Sequence, residues 1–140
     1  MADKPLFLVV EDDRSILNIL KAVLSTQGYG FVEAETGREA LSLAASHVPD
    51  LVILDLGLPD MDGLGVIQGL RAWSQVPIIV ISARGQERDK IAALDAGADD
   101  YLSKPFGMGE LLARIRVSLR NRARLPAWDG APTAASFRVG

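Results

Sequence analysis

The sequence has 140 residues, 49% of them apolar and 24% charged, with no cysteine and a net charge of −3. That length suits one domain with a single core, and that composition excludes a disordered chain, a collagen-like repeat, a disulfide scaffold and thiolate chemistry. The charge is segregated: up to Glu110 there are 9 Lys or Arg against 17 Asp or Glu, and from Leu111 onward 6 against 1, so the acidic body argues against phosphate-backbone binding and leaves only the arginine-rich stretch 114–124 open to it.

The opening MADKPLFLVVEDD has too short an apolar run before its acids for a secretory signal, and the cytoplasm is the expected location. Within it, Leu6 to Val10 reads as a first strand, apolar throughout and so covered on both faces. Ile16, Leu20, Val23 and Leu24 recur at helical spacing, and Gly28 stops a helix expected over 14–27. A second strand starts near Tyr29. Thr36 with Glu39 has the form of a capping box and opens a shorter helix whose apolar face is Ala40, Leu41 and Ala44. Leu51 to Leu54 gives a third strand; Val66, Ile67 and Leu70 a third helix; Ile78 to Ile81 a fourth strand. Ile91, Leu94 and Ala98 mark a fourth helix ending near Gly97, a fifth strand begins near Asp100, and Leu111, Ile115 and Leu119 line a fifth helix.

Five strand-helix units predict an α/β protein with a doubly wound parallel sheet, for which the flavodoxin-like order 2-1-3-4-5 is the common five-stranded arrangement. Functional residues of such sheets lie at the carboxyl ends of the strands. Residues 1–124 form this domain; 125–136, rich in Pro, Gly, Ala and Ser, read as a linker, and 137–140 as the start of a further domain.

Glu11, Asp12 and Asp13 follow the first strand and Asp55 follows the third, which gathers four carboxylates at one sheet edge. Carboxylates without an arginine partner suit a hard divalent cation, and Mg²⁺ takes one or two of them with carbonyls, waters and phosphate oxygens. Asp55 closes an apolar strand, and beside Mg²⁺ its carboxylate is a candidate nucleophile toward phosphorus; a strand cap or a plain metal ligand is the simpler alternative. Ser82 ends the fourth strand and Lys104 the fifth, a hydroxyl and an ammonium suited to phosphoryl oxygens, although each alone reads as a turn residue or a solvated charge. The Lys104-Pro105 bond is a candidate cis peptide.

Taken together, VVEDD, LVILDLGLPDMDG, VISAR and GADDYLSKPF resemble the receiver domain of two-component response regulators, with a CheY-like fold, over residues 5–122. The resemblance implies that Asp55 is the phosphoacceptor for a sensor histidine kinase, that Glu11 and Asp12 with Asp55 and the Gly57 carbonyl hold Mg²⁺, that Ser82 and Lys104 bind the phosphoryl oxygens, and that Tyr101 is an aromatic switch. In the winged-helix (OmpR/PhoB-type) branch it implies a dimer through the face of helix 4, strand 5 and helix 5. Lys90 with Glu110 and Asp100 with Arg114 match the expected pairs, and Asp95 and Asp99 could meet Arg116 and Arg120. The string IAALDAGADDYLSKPFGMGELLARIRVSLR with LDLGLPD is most similar to regulators of a bacterial potassium-transport ATPase operon. That implies a potassium-responsive membrane kinase as partner, and DNA contact only through an effector domain outside this chain.

Two rivals remain on the residues. A Mg²⁺-dependent phosphohydrolase with an aspartyl nucleophile needs an acid two residues after it, where this chain has Gly57. A flavin or nucleotide carrier would need a Gly-rich phosphate loop, and neither standard form is present.

Overall fold

The computed structural model describes residues 4–124, so the expected linker 125–136 and segment 137–140 lie outside the described residues. Strands β1 (Leu6–Val10), β3 (Leu51–Asp55) and β4 (Ile78–Ser82) are apolar until Asp55 and Ser82 close the last two. With β2 (Gly30–Ala34) and β5 (Asp100–Ser103) they form one parallel sheet in the order β2-β1-β3-β4-β5. Because side chains alternate across a strand, each apolar run feeds two cores. Leu8, Val10, Val52, Leu54, Ile78 and Val80 pack under α2 (Gly37–His47), α3 (Gly63–Arg71) and α4 (Glu87–Ala96). Phe7, Val9, Leu51, Ile53, Ile79 and Ile81 pack under α1 (Arg14–Thr26) and α5 (Met108–Arg124). Among the described residues no helix is long and apolar enough to cross a membrane.

The helix starts follow the local chemistry. Asp13 caps α1 by accepting the Ser15 and Ile16 N–H at 2.9 and 3.3 Å, and Asp62 caps α3 by accepting that of Leu64 at 2.9 Å. Thr36 Oγ1 accepts the Glu39 N–H at 3.0 Å, the capping contact read from the sequence. Gly28 and Gly97 follow α1 and α4 with φ of 78° and 122°, backbone that glycine adopts without a Cβ clash. α4 departs from expectation in its inner face. Its buried residue is Ala93, while Ile91 and Leu94 are 49% and 40% exposed. The bulkiest apolar residues were the natural choice for the core side, but the face laid on the sheet is the alanine one.

At the amino-terminal edge one arrangement occurs twice. Asp50, just before β3, donates its N–H to Leu6 C=O at 2.7 Å and accepts the Leu6 N–H at 2.8 Å; Asp99, just before β5, does the same with Ile78, at 2.8 Å for both bonds. Arg71 reaches Asp99 at 3.0 Å and also donates to the carbonyls of Gly97 and Ser74, at 3.0 and 3.2 Å. Burial pushes the Asp99 carboxyl up and the Arg71 guanidinium down, each opposed by the charge of the other.

Candidate phosphoacceptor site

Strand register builds the site. Val10 pairs with Leu54 and Ser82 with Ser103, so Glu11, Asp55, Ser82 and Lys104 leave the sheet at one edge, on four neighbouring strands. Glu11, Asp12 and Asp55 present carboxylate oxygens within 4.8 Å of one another. Lys104 Nζ lies 3.1 Å from Glu11 Oε1 and 3.5 Å from Asp55 Oδ2, and its bond to Pro105 is cis. Ser82 is buried, and its Oγ accepts the Arg84 N–H at 3.0 Å.

The electrostatics of this cluster are unbalanced. Three carboxylates face one ammonium. Glu11 is fully buried; its Oε2 accepts the Asp13 N–H at 3.1 Å, and its Oε1, 3.1 Å from Lys104 Nζ, has no well-aligned hydrogen-bond donor among the described residues. Burial therefore drives the Glu11 carboxyl above the usual carboxylate range, with the Asp55 charge pushing the same way, against the Asp13 N–H and Lys104. A set of hard oxygen donors with surplus negative charge and a buried oxygen lacking a well-aligned donor fits a divalent cation of the Mg²⁺ class. Its chain neighbours aside, the nearest described atom to where a Cβ on Gly57 would stand is Asp55 Oδ2, at 4.0 Å.

The structure brings together Glu11, Asp12, Asp55 and Lys104, with Ser82 ending the strand next to that of Asp55. Asp13 stands apart as a helix cap. The Tyr101 ring is buried in the core, and its hydroxyl donates to the Arg84 carbonyl. On the face of α4, β5 and α5, Arg114 Nη1 binds both Asp100 oxygens at 2.8 and 2.9 Å and Arg114 Nη2 reaches Glu110 at 3.2 Å, all within one chain. Asp100 thereby raises the affinity of Arg114 for its proton. Sequence reasoning missed Arg84, whose Nη1 reaches Asp62 at 3.3 Å, and Asp60, which accepts N–H groups from α2. The turn-rich string LPDMDG was the available signal for both acids.

Residues 7–116 match the family model of the response regulator receiver domain. The chain belongs to the response regulator receiver family. This receiver is 58% identical over 122 residues to the KDP operon transcriptional regulatory protein KdpE of Escherichia coli, covering 87% of this chain and 54% of the relative. It is 56% identical over 115 residues to the transcriptional regulatory protein KdpE of Mycobacterium tuberculosis, covering 82% and 51%. The chain thus spans about half the length of these curated relatives. Among solved structures, the receiver domain of the sensor histidine kinase PA1611 from Pseudomonas aeruginosa, which has a magnesium ion coordinated in its active-site cleft, superposes with a TM-score of 0.78 at 30% identity, over 84% of this chain and 99% of that one.

Proposed function

We propose that this receiver accepts a phosphoryl group on Asp55 from a sensor histidine kinase, with Mg²⁺ held by Glu11, Asp12, Asp55 and the Gly57 carbonyl, and that the phosphorylated form pairs with a second copy to control transcription. The observation that carries the reading is the convergence of a strand-end Asp55, two further acids and the Lys104 ammonium at one edge. Bound Mg²⁺ would neutralise charge on the incoming phosphoryl oxygens and on the carboxylates. Asp55 Oδ forms the bond to phosphorus as the bond from phosphorus to the donor nitrogen breaks, and that electron pair leaves with the donor's imidazole. With a small donor such as acetyl phosphate the leaving group is acetate, which gives self-phosphorylation. Lys104 transfers its ion pairing from Asp55 to a phosphoryl oxygen, and Ser82 donates its hydroxyl to another. Slow attack by water on phosphorus returns Asp55 and inorganic phosphate.

Beside Lys104 an apolar groove of about 330 Å³ is lined by Ile16, Ile19, Pro105, Phe106 and Met108. Its position at the mouth of the site suits a kinase helix presenting a phosphohistidine. The named role of the Escherichia coli relative, regulation of the KDP operon, agrees with the potassium-transport genes as target and the potassium-responsive, KdpD-type kinase as donor that the sequence resemblance implies. The same reading takes 1–124 as the receiver, 125–136 as a linker and 137–140 as the start of a DNA-binding domain that alone would touch DNA, in a cytoplasmic protein; that the chain spans about half the length of the KdpE relatives agrees with a further domain. For the dimer, the face of α4, β5 and α5 offers Lys90, Asp95, Asp100, Glu110, Arg114, Arg116 and Arg120. Asp99 belongs to the same face; its Oδ2 is paired with Arg71 within the chain as Asp100 is with Arg114, and each would exchange its own-chain arginine for the partner's. Tyr101 and Ser82, both bonded to Arg84, connect the pocket to that face.

Intact mass after incubation with acetyl phosphate tests the site, with sizing in parallel. The expected result is one phosphoryl group gained only with Mg²⁺, none on Asp55→Asn, and dimers that form with the adduct and are lost in Asp100→Arg. An adduct of equal yield on Asp55→Asn would overturn the assignment.

A further inference from the structure

The loop between β3 and α3 carries Gly57 and is closed on itself. Gly63 donates its N–H to Leu56 C=O at 2.9 Å, and Gly57 bridges to Asp62 across the neck. A Cβ on Gly63 would lie 2.6 Å from Leu56 Cα, so the two limbs meet with no room for a side chain. Such a loop moves as one piece, and what fixes it is whatever holds its tip. Asp62 holds one side through Arg84.

The other side is held by α2. A helix start leaves its first N–H groups without intrahelical acceptors. In α2 they are divided: Thr36 takes that of Glu39, while Asp60, 23 residues downstream of Gly37, takes those of Gly37 at 2.7 Å and Arg38 at 3.0 Å, one on each carboxylate oxygen. Met61, next to Asp60, lies against Gly37 and Gly65, where a Cβ would overlap its side chain, at 2.7 Å from Met61 Cε in the case of Gly65. The two N–H groups hold the Asp60 carboxyl below the usual carboxylate range, so it stays ionised at neutral pH.

We propose that Asp60 is a positioning residue for the phosphoacceptor site: by capping α2 from the tip of the β3–α3 loop it fixes the loop and hence the Gly57 carbonyl toward the cation. This rests on the Mg²⁺ reading given above. Asp60 touches neither the cation nor the reacting atoms, and it acts through the loop's rigidity. A residue that orients a metal ligand is typically worth about 10–100-fold in affinity.

The test is a calorimetric titration of the full chain with Mg²⁺, alongside thermal unfolding, on wild type, Asp60→Ala, Asp60→Asn and Thr36→Ala. Thr36→Ala removes a cap from the same helix start without releasing the loop, so it reports a merely structural role. The expected order of Mg²⁺ affinity is wild type and Thr36→Ala together, Asp60→Asn below them with one acceptor oxygen left, and Asp60→Ala weakest by about tenfold. Phosphorylation of Asp60→Ala by acetyl phosphate should be slow at low Mg²⁺ and recover at saturating Mg²⁺. Equal affinity in all four proteins, or equal weakening in Thr36→Ala and Asp60→Ala, would overturn the proposal. Failure of wild type itself to bind Mg²⁺ would instead overturn the metal reading on which it rests.

Discussion

At the amino-terminal edge of the sheet, Asp50 and Asp99 each accept the first N–H of the neighbouring strand, and Arg71 adds its charge to Asp99. At the opposite edge Glu11, Asp12 and Asp55 crowd together around one lysine, and a buried Glu11 oxygen has no well-aligned hydrogen-bond donor among the described residues. The residue types are the same and the strands are the same. What differs is the balance of donors and charge: at one edge each acid holds a backbone N–H, whereas at the other Glu11 takes the Asp13 N–H and three carboxylates still crowd one lysine, a repulsion that a divalent cation would relieve.

Replacing acids at the two edges should therefore have effects of opposite sign. The largest is at Asp55: Asp55→Asn should lose phosphoryl uptake entirely and yet stabilise the metal-free fold, because it removes a charge that repels the buried Glu11 carboxylate. Urea unfolding in the presence of a chelator measures the gain, and a destabilised Asp55→Asn would break the comparison. Asp99→Ala should instead cost about 2–3 kcal/mol by the same measurement, since it strips the Ile78 N–H of its acceptor and Arg71 of its counter-charge.

A pH series sharpens the contrast. Because Glu11 is held above its ordinary value of 4.5, the folded chain binds that proton more readily than the unfolded chain does. Stability from this group is present at low pH and is lost as pH rises through the folded value. Glu11→Gln, without Mg²⁺, should gain on wild type in unfolding midpoint as pH rises from 4.5 toward neutrality. Asp60 has the opposite sign: its contribution is full above the ordinary aspartate range and is lost as pH falls below about 4. The smallest effect is expected at Val48, the α2 cap two residues before Asp50, whose φ of 46° is a left-handed conformation unfavourable for a β-branched residue. Val48→Gly should stabilise by about 0.5–1 kcal/mol with phosphorylation unchanged.

Much of the fold was legible because it is written in local patterns. Continuous apolar runs gave the buried parallel strands, Gly28 and Gly97 gave the helix ends, Thr36 gave the α2 cap, and acids placed after strands gave the acidic cluster with Asp55. What escaped depends on partners distant in sequence. Asp60 meets Gly37 and Arg38, Asp99 meets Ile78 and Arg71, and neither pairing leaves a mark on its own neighbourhood. Asp99 was read with the α5 arginines because charge pattern shows which residues are acidic and not which donors lie above them. Ile91 and Leu94 misled for a related reason: hydrophobicity marks a residue's cost in water and does not say which face of α4 is laid inward, and the face laid inward carries the small Ala93.

The anchoring of α4 gives the molecule something like a hinged lever. Its carboxyl end is tied down, since the Gly97 carbonyl takes Arg71 Nε and the next turn leads to Asp99. Its amino end starts at Gln86 with no side-chain cap, two residues from Arg84, and the helix buries only Ala93 where α3 buries four residues. A rod pinned at one end and lightly held at the other turns a small push at its loose end into a rotation. Arg84, where Ser82 and Tyr101 both attach, stands beside that loose end, and Ile91 and Leu94 lie exposed on the helix that a rotation there would turn.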